Sequence, residues 1–224
     1  MIISHRGYAK KHPENSFEAF NAAFDAGADA IETDVRIAED NKIVVSHDPV
    51  KSSKGLPSLD DLFAYIKEKD AHFFLELKSP SPDLLGNVLK KINRINAWER
   101  VHLIGFAKNL KTAVRSQKDF PNLLVDQILQ FPLWSHLKKP KQSNAVYIGW
   151  LDGVAGSEIF FKQCVSRARL SRLRQYFEGH GFGVYGGVVN REEGMRYFQS
   201  AGINDIFTDE VETAIICLKQ QQQF

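Results

Sequence analysis

Cysteine is nearly missing from this chain. Cys164 and Cys217 are the two among 224 residues, and their spacing is not that of a metal site. A disulfide framework and a thiolate zinc centre are therefore excluded, and a reduced, cytoplasmic setting is expected. Long apolar runs are missing too. No stretch approaches the roughly 20 residues of a membrane span, and the opening "MIISHRGY" has neither the basic leader nor the apolar core of a signal peptide. Charge of one sign is not in excess: 29 Lys and Arg against 27 Asp and Glu leave +2, too balanced to argue for a nucleic-acid partner. No Gly/Ser/Pro linker divides the sequence, so residues 1–224 read as a single domain. At 43% hydrophobic, the chain has enough apolar material for one sizeable core.

Short apolar, strand-like runs alternate with amphipathic, helix-like ones along the whole length. "MIIS", "DAIETDV", "KIVVSH", "HFFLELK", "VHLIGF", "NLLVDQIL", "AVYIGW", "FGVYGGVV" and "DIFTD" read as strands. Between them, Phe17, Phe20 and Phe24 mark one face of a helix, with Asn15 and Glu18 at capping-box spacing and Gly27 as its stop. Ser58 and Asp61 cap a second helix, Pro82 opens a third at a position where a missing N–H costs nothing, and Asn190 and Glu193 cap a later one. Repeated strand–helix alternation implies a parallel sheet with helices outside, and eight or nine strands in this length fit a closed (β/α)8 barrel of the TIM type. The rival, an open dinucleotide-binding sheet, lacks its glycine fingerprint after the first strand. One unit is irregular, at strands 2–3. The stretch from Val35 to Ile43 is too short for a parallel crossover, which needs a dozen residues or so. It must turn as a hairpin, and a turn centred on Asp40 sets His47 beside Thr33, close to Glu32 and Asp34.

Polar residues then fall at one end of four strands. His5 and Arg6 end the first, Glu32 and Asp34 the second, His47 follows the third, and Glu76 and Lys78 end the fourth. Residues two apart on a strand share a face, and the C-terminal strand ends of such barrels form the active face. Three close carboxylates repel one another and call for a counter-charge, which a hard divalent cation supplies through oxygen ligands. Two imidazoles suit acid and base work near neutral pH. Arg6 and Lys78 suit an anion. Together they suggest metal-assisted displacement at a small-molecule phosphodiester. A lone strand-end histidine is more often structural, and "ELK" alone is uninformative; the shared strand end carries the reading. His12, His72, His102, His136 and His180 lack such acid partners and read as surface or core. Asp209 reads as the cap of the last helix, and the lysines of "KNLK" and "KKPK" as solvated surface.

The stretch "SHRGYAKKHPENSFEAFNAAFDAGADAIETDVRIAEDNKIVVSHD" resembles the opening of the glycerophosphodiester phosphodiesterase family, within the superfamily of phosphoinositide-lipase-like barrels. His-Arg-Gly, Pro-Glu-Asn-Ser, Glu-x-Asp-Val and His-Asp occur in the family's order, "LELK" is similar to its Glu-x-Lys element, and "GINDIFTDE" to its closing Thr-Asp. The resemblance implies a barrel that hydrolyses glycerophosphodiesters to an alcohol and glycerol 3-phosphate, with one divalent cation, Mg or Ca. It implies His5 and His47 as the acid–base pair, Glu32, Asp34 and Glu76 as cation ligands, and Arg6 and Lys78 on the phosphate. Two departures stand out. The family's inserted subdomain after His-Asp is absent or vestigial, because "PVKSSKGLPSLDDLF" runs almost directly into a helix. A family serine and tryptophan near the mouth are replaced by Gly105 and Gly187. A more open mouth could admit a larger diester, so phospholipase D-like cleavage of a lysophospholipid is an alternative, as is a barrel that binds a phosphorylated ligand without turnover. If another loop replaces the lost cover, "GWLDGVAGSEIFF" is the candidate, with Trp150, Phe160 and Phe161 as an apolar wall.

Overall fold

The computed structural model describes residues 1–129, 143–151 and 153–219. His136, the "KKPK" lysines and the glutamine tail lie outside the described residues. The strands are β1 (Ile2–His5), β2 (Ala30–Ile37), β3 (Ile43–Val45), β4 (His72–Leu77), β5 (Val101–Phe106), β6 (Leu124–Ile128), β7 (Ala145–Ile148), β8 (Gly183–Gly186) and β9 (Ile206–Thr208). The helices are α1 (Phe17–Asp25), α2 (Leu59–Lys69), α3 (Pro82–Arg94), α4 (Ala107–Ser116), α5 (Ser157–Cys164), α6 (Arg167–Glu178), α7 (Glu192–Ser200) and α8 (Val211–Leu218).

Eight of the strands pair in parallel and close on themselves through β1–β2 and β1–β9, giving a (β/α)8 barrel. β3 is the odd strand. It pairs antiparallel with β2, matching Val35 to Val45 and Ile37 to Ile43, so the turn is centred on Asp40 as its length requires. The path from β3 to α2 is residues 46–58, tied back by a bridge between Val44 and Ser58. No inserted subdomain interrupts it.

Two apolar layers form because alternate strand residues face opposite ways. Outward residues such as Ile2, Ile31, Phe73, Leu75 and Leu103 pack under the helices. Inward residues Ile3, Ala30, Phe74, Ile104, Ala145, Tyr185 and Phe207 fill the barrel. The inner layer is aromatic: Phe74 meets Tyr185 and Phe207 edge-on, with centroids 5.4 and 5.3 Å apart. It is the floor beneath the polar strand ends. His102 joins this floor, stacked on Phe74 and 2.6 Å from Asp126 Oδ2 through Nδ1. His102 is thus core, as expected, and the acid it meets is in the middle of β6 rather than at a strand end. Its partner lies on the neighbouring strand, a relation that exists only once β5 and β6 are paired.

Side chains cap the N-termini of four of the eight described helices. Ser58 and Asp61 form the capping box of α2, and Pro82 begins α3. Two caps fall one residue later than their spacing suggests. α1 is capped by Ser16, whose side chain accepts from the Ala19 N–H, and α7 starts from Arg191 with no side-chain cap. The asparagines just ahead of them, Asn15 and Asn190, turn into the barrel mouth instead.

Candidate active site

The strand register sets the first contacts. His5 lies beside Glu32 across β1–β2, and Asp34 beside Glu76 across β2–β4. All four side chains continue the inward face of the barrel, one step above the aromatic floor. Glu32, Asp34 and Glu76 each present a carboxylate oxygen, and these oxygens lie within 4.8 Å of one another. Lys78 Nζ bridges two of the acids, 2.7 Å from Glu76 Oε2 and 3.0 Å from Asp34 Oδ1. Arg6 Nε is 3.2 Å from the other oxygen of Asp34, and its Nη1 donates to Glu14 at 3.1 Å.

Two fixed cations against three carboxylates leave Glu32 under-compensated. Its ion-pair neighbour is His5, with Nε2 3.8 Å from Oε2, and Glu32 Oε2 is buried without a hydrogen-bond donor. Burial, and then the charge of Asp34, push the Glu32 carboxyl up to about 8. Asp34 goes the other way: burial works against its charge, but Lys78, Arg6 and Asn15 outweigh it and hold Asp34 below the ordinary carboxylate value. An orphaned, buried carboxylate oxygen beside two more carboxylates fits a hard divalent cation. The residues present suit such an ion.

Asn15 holds Asp34 in place. It adopts a left-handed backbone with φ of 58°, a conformation asparagine tolerates better than most residues. Its Nδ2 donates to Asp34 Oδ2 at 3.0 Å, while its Oδ1 accepts from Thr33 Oγ1 at 2.7 Å and from the Asp34 N–H at 3.2 Å. The same clamp recurs on the far side of β1. Asn190 Nδ2 donates to Asp209 Oδ2 at 2.6 Å, and its Oδ1 accepts from Thr208 Oγ1 at 3.2 Å and the Asp209 N–H at 2.8 Å. In each clamp the Asn and Thr are eighteen residues apart. The first clamp fixes an acid of the cluster. The second aims Asp209 Oδ1 at His5 Nδ1, 2.9 Å away.

Asp209 is therefore not the cap of α8. That helix starts from Glu210 with no side-chain cap, and Asp209 belongs to the mouth. The repeated Asn…Thr-Asp spacing is the sequence signal that marks it. Burial works most strongly against a charged His5, yet the bond to Asp209 and the charge of Glu32 outweigh it and hold the imidazole above its ordinary value.

His47 is more exposed. It lines the same cavity as His5, Arg6, Glu76 and Lys78, with Nδ1 2.9 Å from Asp48 Oδ1. That cavity, of about 450 Å³, continues over the ends of β5 to β8. Trp150 is part of its wall, as the sequence suggests; Phe160 and Phe161 are not. α5 begins at Ser157, so the two phenylalanines leave the loop for the helix. Phe161 is fully buried against Trp150 and Phe198, and Phe160 is half exposed. Leu151 and Val154 take their place in the wall. At Gly187 the lost bulk is not open space: a Cβ there would come within 2.5 Å of the Phe207 carbonyl.

Comparison with known proteins agrees with this geometry. The model of the glycerophosphoryl diester phosphodiesterase family matches residues 5–103, the span from His5 through Lys78 and beyond. A glycerophosphodiester phosphodiesterase of Caldanaerobacter subterraneus subsp. tengcongensis is 25% identical to the chain, over 96% of each sequence. Among solved structures, a glycerophosphodiester phosphodiesterase from Parabacteroides distasonis matches with a TM-score of 0.75 at 19% identity, over 99% of this chain and 98% of that one. An Oleispira antarctica phosphodiesterase, solved in complex with the product sn-glycerol-3-phosphate, matches with a TM-score of 0.70 at 15% identity, covering 98% and 97%. In its ordered motifs, its barrel and its sequence over nearly the full length the chain is similar to glycerophosphodiester phosphodiesterases, with the family's own model matching residues 5–103.

Proposed function

We propose that the protein hydrolyses glycerophosphodiesters to an alcohol and glycerol 3-phosphate. The observation that carries this is the convergence of Glu32, Asp34 and Glu76 on one point, in a mouth shared with two imidazoles and two fixed cations. Glu32, Asp34 and Glu76 would hold one divalent cation, Mg or Ca, since all three donors are hard oxygens and no thiolate or imidazole is among them. Such an ion draws charge from a phosphate oxygen and makes a nearby hydroxyl or water easier to deprotonate.

The chain's own residues supply the rest. Arg6 and Lys78 already lie within ion-pair distance of the acids and present N–H groups to a phosphate placed above them. His5 and His47 both line the cavity. One takes the proton of the attacking hydroxyl, and the other gives one to the leaving oxygen. Asp209 accepts from His5 Nδ1, which leaves Nε2 facing Glu32 and the reacting groups. Asn15 and Asn190 keep the two aspartates aimed.

The test is a panel of glycerophosphodiesters with and without chelator, with glycerol 3-phosphate measured directly. Turnover that chelator abolishes and Mg or Ca restores is expected. Full turnover in saturating chelator would remove the cation from the scheme. A cyclic phosphate as the sole product would replace hydrolysis by an internal transfer.

A further inference from the structure

We propose that α5, α6 and the loop before them form a docking surface for an anionic lipid bilayer, beside the barrel mouth and separate from its chemistry. Val154 and Ile159 would enter the interface, and Arg169 and Arg172 would meet the lipid phosphates.

The charge of this segment is one-sided. From Ile159 to Phe177 the chain carries five cations, Lys162, Arg167, Arg169, Arg172 and Arg174, and no acid, although the whole chain is nearly balanced at +2. Their placement in α6 also runs against the helix dipole, which favours acids in the first turn and cations in the last. α2 and α3 follow that preference at both ends. α6 reverses it: Arg167 and Arg169 stand in its first turn, no acid is there, and Glu178 ends it. A merely solvated helix face mixes its signs. Two of the five cations are tied down, Lys162 Nζ 2.7 Å from Glu158 and Arg174 Nη1 2.7 Å from Glu178. Arg169 and Arg172 are exposed, and among the described residues neither has an acid within ion-pair distance.

These cations continue an apolar strip. Leu151 and Val154, on the rim of the mouth, and Ile159, in the cleft beside it, are 40%, 53% and 62% exposed. The exposed positions 159, 160, 163 and 164 make one face of α5. That face ends at Cys164, whose carbonyl accepts from Arg169 Nη1 at 3.0 Å, so the Arg169 guanidinium closes the strip. Arg169, Arg172 and Tyr176 then follow at spacings of three and four along one exposed face of α6, while Leu170 and Phe177 are buried on the other. Five of the eight exposed large apolar side chains among the described residues fall between positions 151 and 176, and a contiguous patch of that kind marks an interaction surface. The cations beside it select the partner. Aliphatic side chains gain from an apolar medium and arginines from a layer of phosphates, and a bilayer with anionic head groups offers both, one above the other. Tyr176 has the apolar ring and polar tip of an interfacial residue. A nucleic acid would use the arginines and leave Val154 and Ile159 in water.

The experiment is cosedimentation of the intact protein with vesicles of phosphatidylcholine alone and of phosphatidylcholine mixed equally with phosphatidylglycerol, at low and at physiological salt. A basic side chain at an anionic surface is worth about fivefold in partitioning. The mixed vesicles should therefore hold the protein about tenfold or more tightly than the neutral ones, and salt should weaken the hold. Arg172→Gln, which breaks no bond among the described residues, should lose about fivefold, and Arg169→Gln combined with it about thirtyfold. Ile159→Ser, at an exposed position, should lose roughly threefold or more. All of these variants should keep the circular dichroism of the wild type and its turnover of a water-soluble diester, since none of the three positions lines the mouth. Absence of binding to the mixed vesicles at low salt overturns the inference. Binding that both arginine variants leave unchanged also overturns it, because the surface would then lie elsewhere. Binding that Ile159→Ser leaves intact and that an oligonucleotide displaces fully overturns it too, by assigning the face to a polyanion in solution. Vesicle binding is read without turnover, so either result leaves the phosphodiesterase reading standing.

Discussion

Replacing Asp209 with asparagine changes one atom and should disable His5. Asn190 is fixed by two donors: the Thr208 hydroxyl and the Asp209 N–H both point at its Oδ1. Its Nδ2 must therefore face Asp209 Oδ2, 2.6 Å away. In Asp209→Asn the new amide has one oxygen and one NH2 to place. Setting the NH2 against Asn190 Nδ2 would bring two donors together, so the oxygen goes there and the NH2 faces His5 Nδ1. His5 then accepts at Nδ1 and carries its proton on Nε2, the nitrogen that faces Glu32. As a base, an imidazole locked in that tautomer cannot take a proton at Nε2; as an acid, it loses the negative charge that supports its imidazolium form. Loss of an acid–base group costs on the order of 10²–10⁴-fold, and a tautomer-reversing substitution belongs in that range. The assay is kcat/KM on an unactivated diester, with the His5 tautomer read from its ring ¹⁵N shifts. The double variant Asp209→Asn, Asn190→Ala frees the amide to turn its oxygen toward His5, and should recover part of the loss. An Asp209→Asn enzyme within about threefold of wild type, well below the range above, would refute the reasoning.

The remaining predictions concern the cluster and its supports. Glu32→Gln and Asp34→Asn should lose most turnover and calorimetric binding of Mg or Ca while keeping the far-ultraviolet circular dichroism of the wild type. His5→Ala and His47→Ala should each lose about 10²–10⁴-fold on an unactivated diester; the one acting as acid should lose much less on a nitrophenyl ester, and near wild-type turnover on the unactivated substrate would withdraw the role. Cation binding should tighten as pH rises toward 8, by up to tenfold per unit, because the ion must displace the proton that Glu32 holds up to about 8. In chelator the fold should lose stability over the same range. Glu32 and His5 both sit above their ordinary values of 4.5 and 6.5, so the folded chain binds these protons more tightly than the unfolded chain, and that advantage fades as pH climbs; a denaturation midpoint that rises from pH 5.5 to 8 would contradict this. Asn15→Ala should destabilise by about 2–6 kcal/mol in denaturant titrations, since it strands the Thr33 hydroxyl and the Asp34 N–H, each worth about 1–3 kcal/mol when buried unpaired.

Much was legible without coordinates, for local reasons. The alternation of short strands and amphipathic helices implies a barrel, and chain length alone forces the hairpin between Val35 and Ile43, which pairs as expected. The charged residues two apart in "ETD" and "ELK" had to share a face, and register brings the three acids Glu32, Asp34 and Glu76 together. Tertiary structure decided what depends on residues far apart in the chain. Asp209 reaches His5 across 204 positions, because barrel closure sets β9 beside β1. Asn15 and Asn190 look like helix caps, since the cap preference and the inward clamp draw on the same short amide side chain. His102 gains Asp126 only when β5 and β6 pair. The apolar side of the mouth is likewise invisible along the chain, because it is gathered from four separate strand ends. Sequence fixes which side chains a strand offers to the inside; only closure of the barrel decides which of them meet, and closure is a long-range balance of pairing and packing that no local spacing encodes.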